Sequence, residues 1–403
     1  MANTLLTIAM ITEEALMVLE NNLTFTKQVT REYDDRFGVS GAKIGTVLNI
    51  RLPVQYVYSQ GQGLQLQDVT ETSVPLVLTT QYQRSFIFSS QDLSLSIDDF
   101  STRFVHPAVA NLANQIDSDG LQLFKSVYQV VGTPGSVPTD LLTYLNSRVA
   151  LANSACPMDD ELALVIAPTN EAAIVNALKG LFNQTTEISR QYKEGTMGRT
   201  IGYKWSMDQN VGSYNIGAWT GSTPTVTTAP VNGATTIVTG GWATTTQVLN
   251  AGDVIYFAGV NQVNPQSRQD VGALQGFVVT SNVTSGSGGA ATIPVSPAFN
   301  SSGSFQNITA LPAANAAITV YGASGQLTRN SLAFHKQAFT FACADLEMPQ
   351  GVDMAARMDA KPLNMSVRLV RAYDINTDRF PLRLDLLGGW AAIRPQLACR
   401  IAS

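Results

Sequence analysis

This chain is short of charge. Only 14% of its 403 residues are Asp, Glu, Lys or Arg, against roughly a quarter in soluble proteins, while 45% are hydrophobic. A surface so poor in charge is expected where neighbouring subunits cover much of it. The net charge of −5, with no run of Lys or Arg, gives no electrostatic case for direct nucleic-acid binding, and partners are expected to be protein. The three cysteines, Cys156, Cys343 and Cys399, are odd in number and far apart, which suggests reduced thiols in a cytoplasm-like compartment rather than a disulfide framework. No apolar run reaches the ~18 residues of a membrane span. The opening MANTLLTIAMITEEALMVLE has no early basic segment and carries Glu13, Glu14 and Glu20, so it is not expected to act as a signal peptide.

Reactive groups are as scarce. There are two histidines: His106 precedes a helical proline, His335 lies between apolar neighbours, and neither has a Cys or carboxylate nearby in sequence at ligand spacing. The acid pairs Asp34-Asp35, Asp98-Asp99 and Asp159-Asp160 suit caps and solvated turns better than an acid/base pair. Gly286-Ser287-Gly288-Gly289 lacks the helix and Lys of a phosphate loop and reads as a plain loop. No catalytic, metal or cofactor site is expected, and the chain is read as a non-enzyme.

The longest pattern present runs from Asp98 to Val131. Phe104, Ala108, Leu112, Ile116, Leu123, Val127 and Val131 recur at helical steps, which predicts a helix of about 40 Å, opened by Asp98 and Asp99 and stopped by Gly132. Before it, Thr4 to Asn22 reads as an amphipathic helix, and Gly45 to Ser90 has period two around the polar SQGQGLQLQDVTET. That is the pattern of a two-stranded excursion, and such a pair needs a partner surface for stability. After the long helix comes the turn GTPGSVP, then a second helix capped by Thr139 or Asp140. The run LALVIA follows as a strand covered on both faces, and a helix from Pro168 to Lys179-Gly180. This order indicates an α/β layer, completed by segments after Ser331. Of those, Val352–Asp359 reads as helical, Ser366–Asp374 as a strand, and RLDLLGGWAAIRPQLACRIA as a turn at Gly388-Gly389 before a last strand.

Between Ala218 and Gln326 there are three charged residues, Asp253, Arg268 and Asp270, and no Lys, Glu, His or Cys. Short runs such as TTIVT, DVIYFAGV, QGFVVTSNVT, ATIPVS and AITVYG, separated by Gly and Pro turns, predict an inserted all-β module, a sandwich or small barrel. Its alternating Val, Ile, Phe and Tyr argue against low-complexity disorder.

These segments carry a family resemblance. GDVIYFAGVNQVNPQ with LQGFVVT resembles the inserted domain of the P-twenty-two-type coat proteins of tailed bacteriophages. SLAFHKQAFTFA and RLDLLGGWAAIRPQLACRIA are similar to that family's closing segments, and LANQID with VGTPGSVP to its spine helix and exit. LLGGW is a looser version of the family's aromatic-Gly step. The resemblance implies an α+β chain with the Hong Kong 97-type capsid fold. Its parts would be an N-terminal arm (1–40), an extended loop (41–83), a peripheral domain with the spine helix (84–131) and an axial domain (132–217). A β-barrel-like insertion (218–330) and a completing segment (331–403) would follow.

It further implies a major capsid protein of the virion, assembled in the host cytoplasm as pentamers and hexamers of an icosahedral shell. Scaffolding and portal proteins would be partners, and double-stranded DNA would be enclosed without sequence-specific binding. Some shells of this fold bond a loop Lys to a neighbour's Asn, but Ile44 to Gln83 contains no lysine, so no cross-link is expected there. Glu13 and Glu20, one heptad apart, are candidate contacts for a basic scaffolding segment, beside the plainer reading of a solvated face. Two alternatives are an encapsulin-like nanocompartment shell, and a Thr/Ser-rich β adhesin or carbohydrate-binding module using Trp219 and Trp242.

Overall fold

The computed structural model describes residues 17, 19, 22–31, 45–57, 60–63, 66, 68–89, 106–178, 198–219, 222–360 and 365–403. The chain forms two compact units, one of Met1–Ile50, Ser73–Gly120 and Phe339–Ala391, the other of Arg51–Thr72, Leu121–Ala338 and Ala392–Ser403.

The first unit is organised on the strand Arg379–Ala392. Thr80–Ser89 pairs with it antiparallel from Arg379↔Ser89 to Gly388↔Thr80. Met365–Arg371 pairs with it too, and Met354–Ala360 follows in the order. Strand alternation buries Tyr82, Phe88, Leu369, Leu382 and Leu384, while Gln81, Gln83, Ser85 and Ile87 meet solvent. Helix α1, His106–Leu121, adds the stripe Val109, Leu112, Ala113 and Ile116, all buried, at the spacing of one helical face.

Three expectations are corrected here. Residues 98–105 lie outside the described residues, but the C-terminal end of the long helix is clear: α1 stops at Leu121, tightens into a 3-10 turn at Gln122–Ser126, and Val130–Gly132 is a strand. Val130 to Gly132 pair parallel with Arg400 to Ala402, so sheet pairing overrides the helical spacing of Val127 and Val131. Val352–Asp359 is likewise no helix. Met354–Ala360 pairs residue by residue with Met365–Arg371, and cross-strand partners outweigh the helix propensity of Met-Ala-Ala-Arg. Gly388-Gly389 is not a turn but the middle of a strand. A Cβ on Gly389 would stand 2.1 Å from the Val77 carbonyl oxygen, and one on Gly388 2.6 Å from Phe341, so the glycines allow close approach rather than reversal.

The second unit contains a mixed sheet in the order Val130–Gly132, Ala398–Ala402, Leu327–His335, Leu162–Ile166, Tyr203–Met207, Arg199–Thr200, with Ser213–Asn215 pairing beside Leu327–His335. Leu162–Ile166 is buried at every position, as its unbroken apolar run predicts. Helix α2, Leu141–Asn153, is capped by Asp140, whose carboxylate accepts from the Leu142 N–H at 3.0 Å. Helix α3, Pro168–Leu178, follows the Leu162–Ile166 strand.

The low-charge stretch folds as antiparallel strands ordered Ile318–Val320, Val254–Val263, Asp270–Val279, Ala291–Phe299, Ala234–Gly240, Thr225–Thr228. The two ends of that order meet: Thr225 bridges Ala317, the Val226 N–H donates to Ala316 O at 3.0 Å, and the Ile318 N–H to Pro224 O at 3.0 Å. The sheet therefore closes into a barrel without free edges. Phe257, Phe277 and Phe299 fill it, their ring centroids 4.6 to 5.6 Å apart, surrounded by buried Ile237, Ile293 and Val279.

Candidate assembly surfaces

Glu13 and Glu20 lie outside the described residues, as does most of the expected Thr4–Asn22 helix, of which Met17, Leu19 and Asn22 are helical. The segment that follows is anchored by one carboxylate. Asp117, buried on α1, accepts from the backbone N–H groups of Thr24 at 2.5 Å, Phe25 at 3.2 Å and Thr26 at 3.0 Å, and from the Thr26 hydroxyl. Burial pushes the Asp117 carboxyl above the usual carboxylate range, against the pull of these donors. Phe25, fully buried, packs on Trp390 and Phe339, and Thr30 joins the sheet edge through Phe339, Thr340 and Phe341. An acid four residues after Ala113, on the buried face of α1, was the sequence signal for this anchor.

The excursion starts from a strand pair, Val47–Arg51 with Ser73–Val77, extended by the Leu52 N–H donating to Thr72 O at 2.8 Å. Beyond the pair, Tyr56, Leu66 and Val69 are 65%, 87% and 56% exposed.

His335 departs from the sequence reading, because the fold brings it two carboxylates remote in sequence. It is buried, with Nε2 3.2 Å from Asp159 and 3.9 Å from Glu161. The three form the one His/Cys/Asp/Glu cluster among the described residues with metal-like spacing. The Gln337 N–H donates to His335 Nδ1 at 3.3 Å, which leaves the ring proton on Nε2 and aims it at Asp159. Lys336 Nζ is 3.6 Å from Glu161. A donor nitrogen and an ammonium on these carboxylates make an ion-paired turn, not a cation cage. Asp160 pairs with Arg199, so the acid pair is divided between two partners. His106 opens α1, away in sequence from any such cluster among the described residues.

A buried cation, Arg400, lies on Ala398–Ala402. Its Nε donates to Val127 O at 2.7 Å and its Nη1 to Gly252 O at 2.8 Å, and its guanidinium lies 5.6 Å from the Phe124 ring centroid. Burial pulls its pKa down to about 10, while Tyr214 and Asp253 pull it up, so it stays charged at neutral pH. Asp253 in turn accepts from Tyr214 Oη at 2.8 Å and from the N–H groups of Gly217 at 3.1 Å and Asn250 at 2.7 Å. Two of the few charges near the barrel thus tie the start of its strand Val254–Val263 to the mixed sheet. An Arg inside the apolar run ACRIA was the visible sign. Trp242 is buried, donating from Nε1 to Thr239 Oγ1 at 2.9 Å, and Trp219 packs on the barrel core, so neither ring forms an open sugar platform. These groups hold segments in place.

A family model described as P22 coat protein, gene protein 5, matches residues 1–400. No curated protein matches the chain. Among solved structures it is similar to that of Mycobacterium phage Che8, at 11% identity and TM-score 0.48 over 94% of this chain and 90% of that one. The capsid of Ralstonia phage GP4 gives 8% identity and TM-score 0.48 over 93% and 87%. The capsid of cyanophage P-SCSP1u gives 12% and 0.45 over 94% and 87%. With the family matched along nearly its whole length, the chain belongs to the P22 coat protein family: it is a major capsid protein of the Hong Kong 97-type fold, a structural subunit of a homo-oligomeric phage shell and a component of the virion.

Proposed function

We propose that this coat protein assembles as pentamers and hexamers into an icosahedral shell that encloses double-stranded DNA, with no catalysis of its own. The observation that carries this reading is the family match over residues 1–400. The exposed Tyr56, Leu66 and Val69 support it physically, since permanent interfaces cover roughly 2,000 Å² or more and apolar projections gain most from such cover. On this reading residues 1–40 are the arm, 41–83 the extended loop, 84–131 the peripheral domain and 132–217 with 331–403 the axial domain. Residues 218–330 are its insertion. Assembly in the host cytoplasm uses a scaffolding protein, a portal fills one vertex, and Glu13 and Glu20 meet a basic scaffolding segment.

The test is expression of the full chain with and without its neighbouring genes, followed by electron microscopy. Uniform closed shells are expected when the scaffolding partner is present, and aberrant or no particles without it. A chain that stays monomeric under every assembly condition overturns the reading. Charge reversal at Glu13 and Glu20 tests the scaffold contact separately: unchanged scaffold incorporation removes it.

A further inference from the structure

Helix α2, LLTYLNSRVALAN, carries a single charge, Arg148, which is held by Ile201 O at 2.8 Å. An amphipathic helix normally turns its apolar residues to its own core and its polar ones to solvent. Here Tyr144, Ser147 and Leu151 are buried against the unit's own core, but Leu142, Leu145 and Val149 are 56%, 37% and 56% exposed. They stand at i, i+3 and i+7 and form an open stripe. Val149 continues into a groove of about 570 Å³, whose far wall is the barrel hairpin with Leu274, 43% exposed. No charged side chain lines that groove.

We propose that the α2 stripe and this groove seat a second copy of the chain, which offers its own charge-poor barrel surface. The inference rests on the shell-building reading above. Charge decides between occupants. An acidic or basic partner segment, or a polyanion, would leave its charges unpaired against a wall with none, which is costly. The chain itself owns a matching charge-poor surface: residues 218 to 326 hold only three charged residues and expose Val231 at 75% and Val238 at 42%. Groove and barrel surface are different patches, so the contact is heterologous, and a heterologous contact that closes makes a ring. Each copy would then give its barrel to one neighbour and its α2 groove to the other.

The test uses the full chain under conditions where the unaltered protein forms shells. Leu142→Glu and Val149→Glu are expected to leave the melting curve of the unassembled protein unchanged, since both positions face solvent there. Shell yield should fall by about tenfold or more, because each buries a carboxylate in an apolar contact. Independently, a photo-crosslinking residue at position 149 should give a covalent coat dimer in shells, absent from the unassembled protein, with the adduct inside 218–326 of the other chain. Normal shell yield from both Glu variants overturns the proposal, as does an adduct with another protein or well-formed shells with no dimer. If the unaltered protein forms no shells at all, it is the shell-building reading that fails.

Discussion

Asp117 does for the segment 24–26 what a helix N-terminus does for an anion, with the roles reversed: one carboxylate satisfies three consecutive backbone N–H groups. Asp117→Leu would leave those donors buried without an acceptor and should cost about 3–5 kcal/mol, with Asp117→Asn in between. Limited proteolysis should then cut within 22–31 before the rest of the chain opens. Asp159 is a milder case. The cost of burial is outweighed by the Glu161 N–H and by His335, which hold its carboxyl below the usual range. A depressed acid stabilises above its unfolded value and loses that contribution as pH falls through the folded one. Melting temperatures of the parent and Asp159→Asn should therefore differ at neutral pH and converge below about pH 4, the ordinary carboxylate range. The effect will be small, because Asp159 is largely exposed. Burial pushes the Cys399 and Cys156 thiols up to about 12, and Cys343 is buried as well. At pH 8 a thiol reagent should modify none of the three in the native chain and all three in denaturant.

At the scale of elements, Gly388-Gly389 separates what sequence reveals from what it hides. The pair reads as a turn because glycine marks reversals, but its second common use, letting two backbones approach, leaves the same letters. Gly389→Ala should prevent native packing, since its Cβ has the Val77 carbonyl oxygen at 2.1 Å, whereas Gly63→Ala, with nothing within 4 Å, should be neutral. Comparing soluble yield and thermal melts of the two checks this. The strands of the low-charge stretch, the capped helix α2 and the buried Leu162–Ile166 were legible because each has one dominant period and clear punctuation. The end of α1 and the strand Met354–Ala360 were not, because their pairing partners lie far off in sequence or compete with a strong local propensity. The Asp159–His335 contact spans 176 positions, and no spacing rule reaches that far.

For the whole molecule, the missing charge was the most informative feature. A charge-poor surface is what covered surfaces have, and the exposed apolar residues of α2 and of the excursion are where the proposed contacts would place that cover. Because Ile44 to Gln83 holds no lysine, particles should dissociate in denaturing detergent to single chains. A ladder of covalent oligomers on such a gel would contradict this.

The closing of the barrel has a consequence in time. All its strands come from one continuous stretch, Thr225 to Val320, whereas the mixed sheet must bring Val130 beside Arg400. Loop closure across so much chain is slow, and short-range closure is fast. The barrel should therefore be complete while the sheet that carries it is still waiting for its last strand, a finished piece that the late-arriving chain can fold against.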